Sequence, residues 1–76
     1  NQIIKRNFEA ALKIWTIYVR ANPQDPIGFY NLAVAAEALG RYKTSIENYW
    51  KYLQLIGNTA DKAELNNKIM TLEQEQ

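Results

Sequence analysis

Neither cysteine nor histidine occurs anywhere in the chain, and these two absences exclude much of the chemistry open to a small protein. Without Cys there is no disulfide, no thiolate nucleophile and no thiolate metal ligand. Without His there is no side chain that ordinarily changes charge near neutral pH. A charge excess of either sign is missing too. Nine Lys and Arg stand against eight Asp and Glu, a net +1, so no basic field collects phosphates and nucleic acid is not an expected partner. No apolar run approaches the ~20 residues that a membrane-spanning helix needs. The stretch poorest in charge, Ala21 to Ala36, holds two prolines and Asp25, and membrane insertion is not expected. The chain opens on Asn1 rather than Met and shows no signal-peptide pattern, which suggests an excised domain or a piece of a longer protein.

What is present reads as one small folded domain. An apolar fraction of 47% with 22% charge in 76 residues is ordinary for a globular chain, although one this short buries only about 60–65% of the surface it exposes when unfolded. The acids Asp25, Glu37, Glu47, Asp61 and Glu64 are the only candidates for general acid–base work worth weighing. Asp25 and Asp61 fall at expected helix starts, where capping or the helix dipole accounts for them. No nucleophile–base pair accompanies any of the five. Lys43-Thr44 lacks the upstream glycine spacing of a phosphate loop. Neither catalysis nor a cofactor is expected.

Helix breakers divide the chain into four helical stretches, with no alternating pattern that would support strands. In Asn22-Pro23-Gln24-Asp25-Pro26, Asp25 suits a helix N-cap and Pro26 the first helical position, where a missing N–H costs nothing. Gly40 and Gly57 suit helix ends, and Asn58-Thr59 would cap a last helix. Gly28 falls inside the first turn of its helix, where its small size predicts close approach of another backbone. Helical spacing selects Phe8, Ala11, Leu12, Trp15, Tyr18 and Val19 in the first stretch. The same spacing selects Tyr42, Ser45, Ile46, Tyr49, Tyr52 and Leu53 in the third, and Leu65, Ile69 and Leu72 in the fourth. The second is apolar over an unusually wide arc: Phe29, Leu32, Ala33, Ala36 and Leu39 form one stripe, and Tyr30, Val34 and Ala38 the next. Both its sides need partners. The final Glu73-Gln74-Glu75-Gln76 offers no anchor and is expected to fray.

The first and third stretches also match each other at an offset of 34 residues. Phe8 pairs with Tyr42, Ala11 with Ser45, Leu12 with Ile46, Trp15 with Tyr49, Tyr18 with Tyr52, Val19 with Leu53, and Pro23 falls opposite Gly57. Shared apolar spacing alone does not produce this ordered match, which indicates an internal repeat. A helix–turn–helix unit of that period, with Phe29-x-x-Leu32-Ala33-x-x-Ala36, Gly40-x-Tyr42-x-x-Ser45-x-x-x-Tyr49, Tyr52-Leu53 and Gly57, resembles the tetratricopeptide repeat family.

The resemblance implies an all-α fold of about four helices, in antiparallel helix-turn-helix repeats wound as a right-handed superhelix. Residues 1–25 would be the second helix of a preceding repeat, 26–59 a complete repeat and 60–76 a C-terminal capping helix. Two departures from the family pattern, Ala36 in place of an aromatic and Tyr52 in place of a small residue, suggest that the Tyr52 ring fills the space above Ala36. By the same resemblance Ile27, Tyr30, Asn31, Val34, Glu37 and Ala38 face a groove that holds a protein or peptide partner. Only Asn31 among them suits a carboxylate clamp, so an apolar or aromatic-bearing segment is the expected ligand. Tyr30 and Val34 have a plainer reading beside this one, as packing against a neighbouring repeat or the last helix. Trp50 is either an exposed contact or half-covered by the last helix, and Arg41, Lys43, Glu47 and Lys51 read as a solvated outer face. Ile3, Ile4, Ile14 and Ile17 form a flank that a missing first helix would cover. That flank points to further repeats or to a homo-oligomer, since repeat units stack on their neighbours.

Overall fold

A computed structural model describes the backbone of residues 2–57 and 61–75, with side chains described for 5–57 and 62–75. The described residues form four helices and no strand: α1 (Gln2–Ala21), α2 (Pro26–Ala38), α3 (Tyr42–Ile56) and α4 (Asp61–Glu75). The connections are three or four residues long, too short for anything but antiparallel neighbours. Contacts run in chain order, α1 on α2, α2 on α3 and α3 on α4, and no other pair of helices brings its backbones together. The result is a slab of 37 × 31 × 17 Å. The caps expected at Asn58-Thr59 and the side chain of Asp61 lie outside the described residues. α4 is helical to Glu75.

Asp25 starts α2 as its sequence position predicts and does a second job besides. One carboxylate oxygen accepts the Ile27 backbone N–H at 3.0 Å, filling an amide the helix cannot. The other accepts the Tyr18 hydroxyl of α1. A single carboxylate therefore opens α2 and ties it to α1. The bond to Asp25, partial desolvation and the carboxylate's charge all hold the Tyr18 phenol above its usual pKa.

α2 ends at Gly40, whose φ of 76° is left-handed backbone that glycine adopts without a Cβ clash. Its N–H donates to the Glu37 carbonyl at 3.0 Å and that of Arg41 to the Ala36 carbonyl at 2.9 Å, the paired bonds of a Schellman motif. Arg41 then occupies the N-cap of α3 with no side-chain bond to the helix, a cation at the positive end of the dipole. Arg41→Asp is expected to stabilise the protein by about 0.5–1.5 kcal/mol through a new cap and a relieved charge. Chemical denaturation would show it, and an unchanged midpoint would refute it.

The apolar girdle of α2 finds its two partners in α1 and α3, and the helix buries Gly28, Leu32, Ala33, Ala35 and Ala36. Against α3, Ala33 and Ser45 are both fully buried, and the Ser45 hydroxyl donates to the Ala33 carbonyl at 2.8 Å. Against α1 the contact is at Gly28, but what comes close is side chain rather than the backbone expected. A Cβ there would lie 2.7 Å from the Tyr18 ring and 2.9 Å from Val19. The core proper lies on the other side of α2, where Ala33, Ile46, Tyr49, Leu53, Leu65, Ile69 and Leu72 form one buried cluster. The α1 stripe is only half-buried because α2 alone covers it.

The expected pairing of Tyr52 with Ala36 does not occur. Antiparallel packing sets Tyr52 against Tyr30, with ring centroids 5.2 Å apart, six residues or about 9 Å along α2 from Ala36. Register, not volume, decides which α2 residue that ring can reach.

Candidate functional site

Because α2 and α4 flank α3 without meeting through their backbones, a groove opens between them. Ile27 and Tyr30 of α2, Tyr52 of α3, and Glu64, Leu65 and Lys68 of α4 line a space of about 440 Å³. Ile27 and Tyr30 are exposed, at 56% and 38% of their possible surface, so the apolar material of the groove faces solvent. Leu65, by contrast, is buried and belongs to the core cluster below. The Tyr30 ring is held from two sides, edge-on to Tyr49 at 5.8 Å and tilted against Tyr52 at 5.2 Å, arrangements that aromatic quadrupoles favour.

Where the groove nears the far end of α2, three helices are joined by one polar chain. The Tyr49 hydroxyl of α3 donates to Glu37 Oε1 of α2 at 2.8 Å, and Lys68 Nζ of α4 lies 3.2 Å from the same oxygen. The Lys68 ammonium also sits over the Tyr49 ring, 5.6 Å from its centroid, within cation–π range. Burial, then the bond to Glu37 and its charge, push the Tyr49 phenol far above its ordinary pKa. The ion pair is partly exposed, with side-chain exposures of 43% for Lys68 and 29% for Glu37, and on its own contributes at most about 1 kcal/mol.

Of the residues expected to face a groove, Ile27 and Tyr30 line it. Val34 packs against the core cluster instead, the plainer of its two readings. Glu37 is engaged with Tyr49 and Lys68. Asn31, half-buried, and Ala38, exposed, are not among the lining residues. Tyr52, Glu64, Leu65 and Lys68 were missed because the family resemblance directs attention to one helix, whereas the opposite wall comes from α4. Their sequence signal is faint: 64, 65 and 68 share one side of a helix by spacing alone.

Away from the groove Trp50 keeps 45% of its possible surface exposed. The side chains of Ile3 and Ile4 lie outside the described residues. Ile14 and Ile17 are 63% and 68% exposed. In the 34-residue correspondence they match Asn48 and Lys51 of α3, and Lys51 is exposed there although α2 and α4 both pack on that helix. A preceding helix packed on α1 as α2 packs on α3 would thus leave Ile17 open, and would meet Ala11 and Trp15, the counterparts of Ser45 and Tyr49.

Among the described residues no group of three or more acidic side chains is placed to hold a metal ion, and no helix is long and apolar enough to cross a membrane. Compared with known proteins, the chain matches no family model, no curated protein and no solved structure.

Proposed function

We propose that this chain is a protein-interaction module of tetratricopeptide type, without catalytic chemistry, that holds a peptide or protein segment in the groove between α2 and α4. The observation that carries the reading is the solvent-facing Tyr30, braced by two further tyrosines beside Ile27 and above Leu65. A braced, amphipathic ring on the wall of an open groove is the kind of anchor on which binding energy concentrates. The 34-residue correspondence of α1 with α3 and the backbone contacts, which join chain neighbours alone, support a repeat architecture.

Tyr30→Ala combined with Ile27→Ala tests the groove better than any change at Val34, which would also disturb the core. A peptide ligand selected on the native protein is expected to bind the double variant more weakly by roughly 30-fold or more, with helicity unchanged by circular dichroism. Unaltered affinity would refute the groove.

A second reading, self-association through α1, rests on the exposed Ile14 and Ile17. Sedimentation at tens of micromolar decides it, since a strict monomer is incompatible with that pairing.

A further inference from the structure

The charges around the groove are unevenly matched. Lys68 reaches Glu37 on α2, although Glu64 lies four residues before it on its own helix, the spacing at which Glu and Lys commonly pair. Glu64 has no ion pair and no hydrogen bond among the described residues. Lys62, the nearest other cation on α4, is two positions away and so about 200° round the helix. With Lys68 held by Glu37, the Glu64 carboxylate is the unmatched charge of a trough walled by Ile27, Tyr30, Tyr52 and Leu65.

We infer that the groove selects a peptide segment in which an arginine stands next to an apolar residue, the guanidinium meeting Glu64 and the faces of Tyr30 and Tyr52 while the apolar side chain lies along Ile27 and Leu65. This rests on the groove being the binding site. Arginine suits the surroundings better than lysine. Its flat, weakly hydrated cation stacks on aromatic rings and bonds a carboxylate through two N–H groups, and its aliphatic stem covers apolar surface. A C-terminal carboxylate is the wrong partner, because the one cation of the groove is already held by Glu37. A space of about 440 Å³ admits a few side chains, as ligand pockets of ~300–1,000 Å³ do, and not a folded surface.

The test is a random 12-residue peptide display library selected on the full chain, followed by synthesis of the enriched peptides with arginine or with its neutral isostere citrulline. The expected result is enrichment of arginine beside an apolar residue, with affinity lost about tenfold or more on replacement by citrulline, as for a hydrogen bond between charged groups. Glu64→Gln, an exposed change that should leave helicity and melting unaltered, is expected to cause a similar loss, after which citrulline costs nothing further. Peptides that depend on Tyr30 but are indifferent to Glu64 and to citrulline would overturn the arginine assignment and leave the groove standing. If no selected peptide depends on Tyr30, both fall.

Discussion

Replacing Tyr49 by Ala is expected to cost about 3–5 kcal/mol, the range for truncating a buried aromatic ring. A chain of this length has only about 4–11 kcal/mol of total stability at 0.05–0.15 kcal/mol per residue. The ring is fully buried, and it meets Tyr30 and Glu37 on α2 and Lys68 on α4. Since α2 and α4 have no backbone contact, its loss should undock α4 as well as open a cavity. Urea denaturation should therefore show a lower midpoint and also a shallower slope, the sign of a less compact native state. Tyr49→Phe keeps the ring and removes only the hydroxyl, and about 1–2 kcal/mol is expected because the acceptor is a carboxylate. Equal effects of the two changes would mean that the hydroxyl, not the packing, matters at this position.

The same hydroxyl sets an alkaline limit. Its folded pKa lies above the ordinary value of 10.0, so the folded protein keeps this proton after the unfolded chain has released it. The stability it supplies is complete below pH 10.0 and is lost progressively as pH rises beyond that toward the folded value. Stability measured upward from neutral pH should fall in that range, and Tyr49→Phe should remove part of the fall. Parallel curves for the two proteins would contradict the assignment.

Gly28→Ala is the second large effect, and its sign runs against helix propensity. Alanine at a helical position gains up to about 1 kcal/mol over glycine, yet here a Cβ would meet Tyr18 at 2.7 Å and Val19 at 2.9 Å. Neither neighbour yields easily. The Tyr18 hydroxyl is tied to Asp25 and its ring stands edge-on to Trp15 at 5.2 Å, while Val19 is stiff at χ1. A net loss of about 1–3 kcal/mol is expected, the range for overpacking, with part of it recovered when Val19→Ala is added. A stabilised Gly28→Ala protein would mean that α1 and α2 do not approach at this point.

Local chemistry made the helix boundaries legible. Asp25-Pro26 and Gly40 mark their positions by backbone rules that operate within a few residues, and the structure obeys them. Between helices, spacing made legible which face of each is covered, as for Ser45 and Tyr49 on the buried side of α3. Three things lay beyond that reach. Tyr52 meets Tyr30 rather than Ala36 because register depends on the length of the whole turn. The side-chain approach to Gly28 depends on Asp25 holding Tyr18 across a loop. The α4 wall of the groove depends on how a mostly polar helix rolls over three buried apolar residues, Leu65, Ile69 and Leu72, and that angle has no signature in spacing.

Backbone contacts confined to chain neighbours bear on how the chain reaches this state. Each docking step brings together two segments separated by one short turn, so the loop entropy paid at each step is small and never accumulates over a long closure. No helix must wait for a distant one. α1 and α4 each make backbone contact with one neighbour, so release of either leaves the α2–α3 hairpin in place, and the lower-stability openings are expected at these two helices.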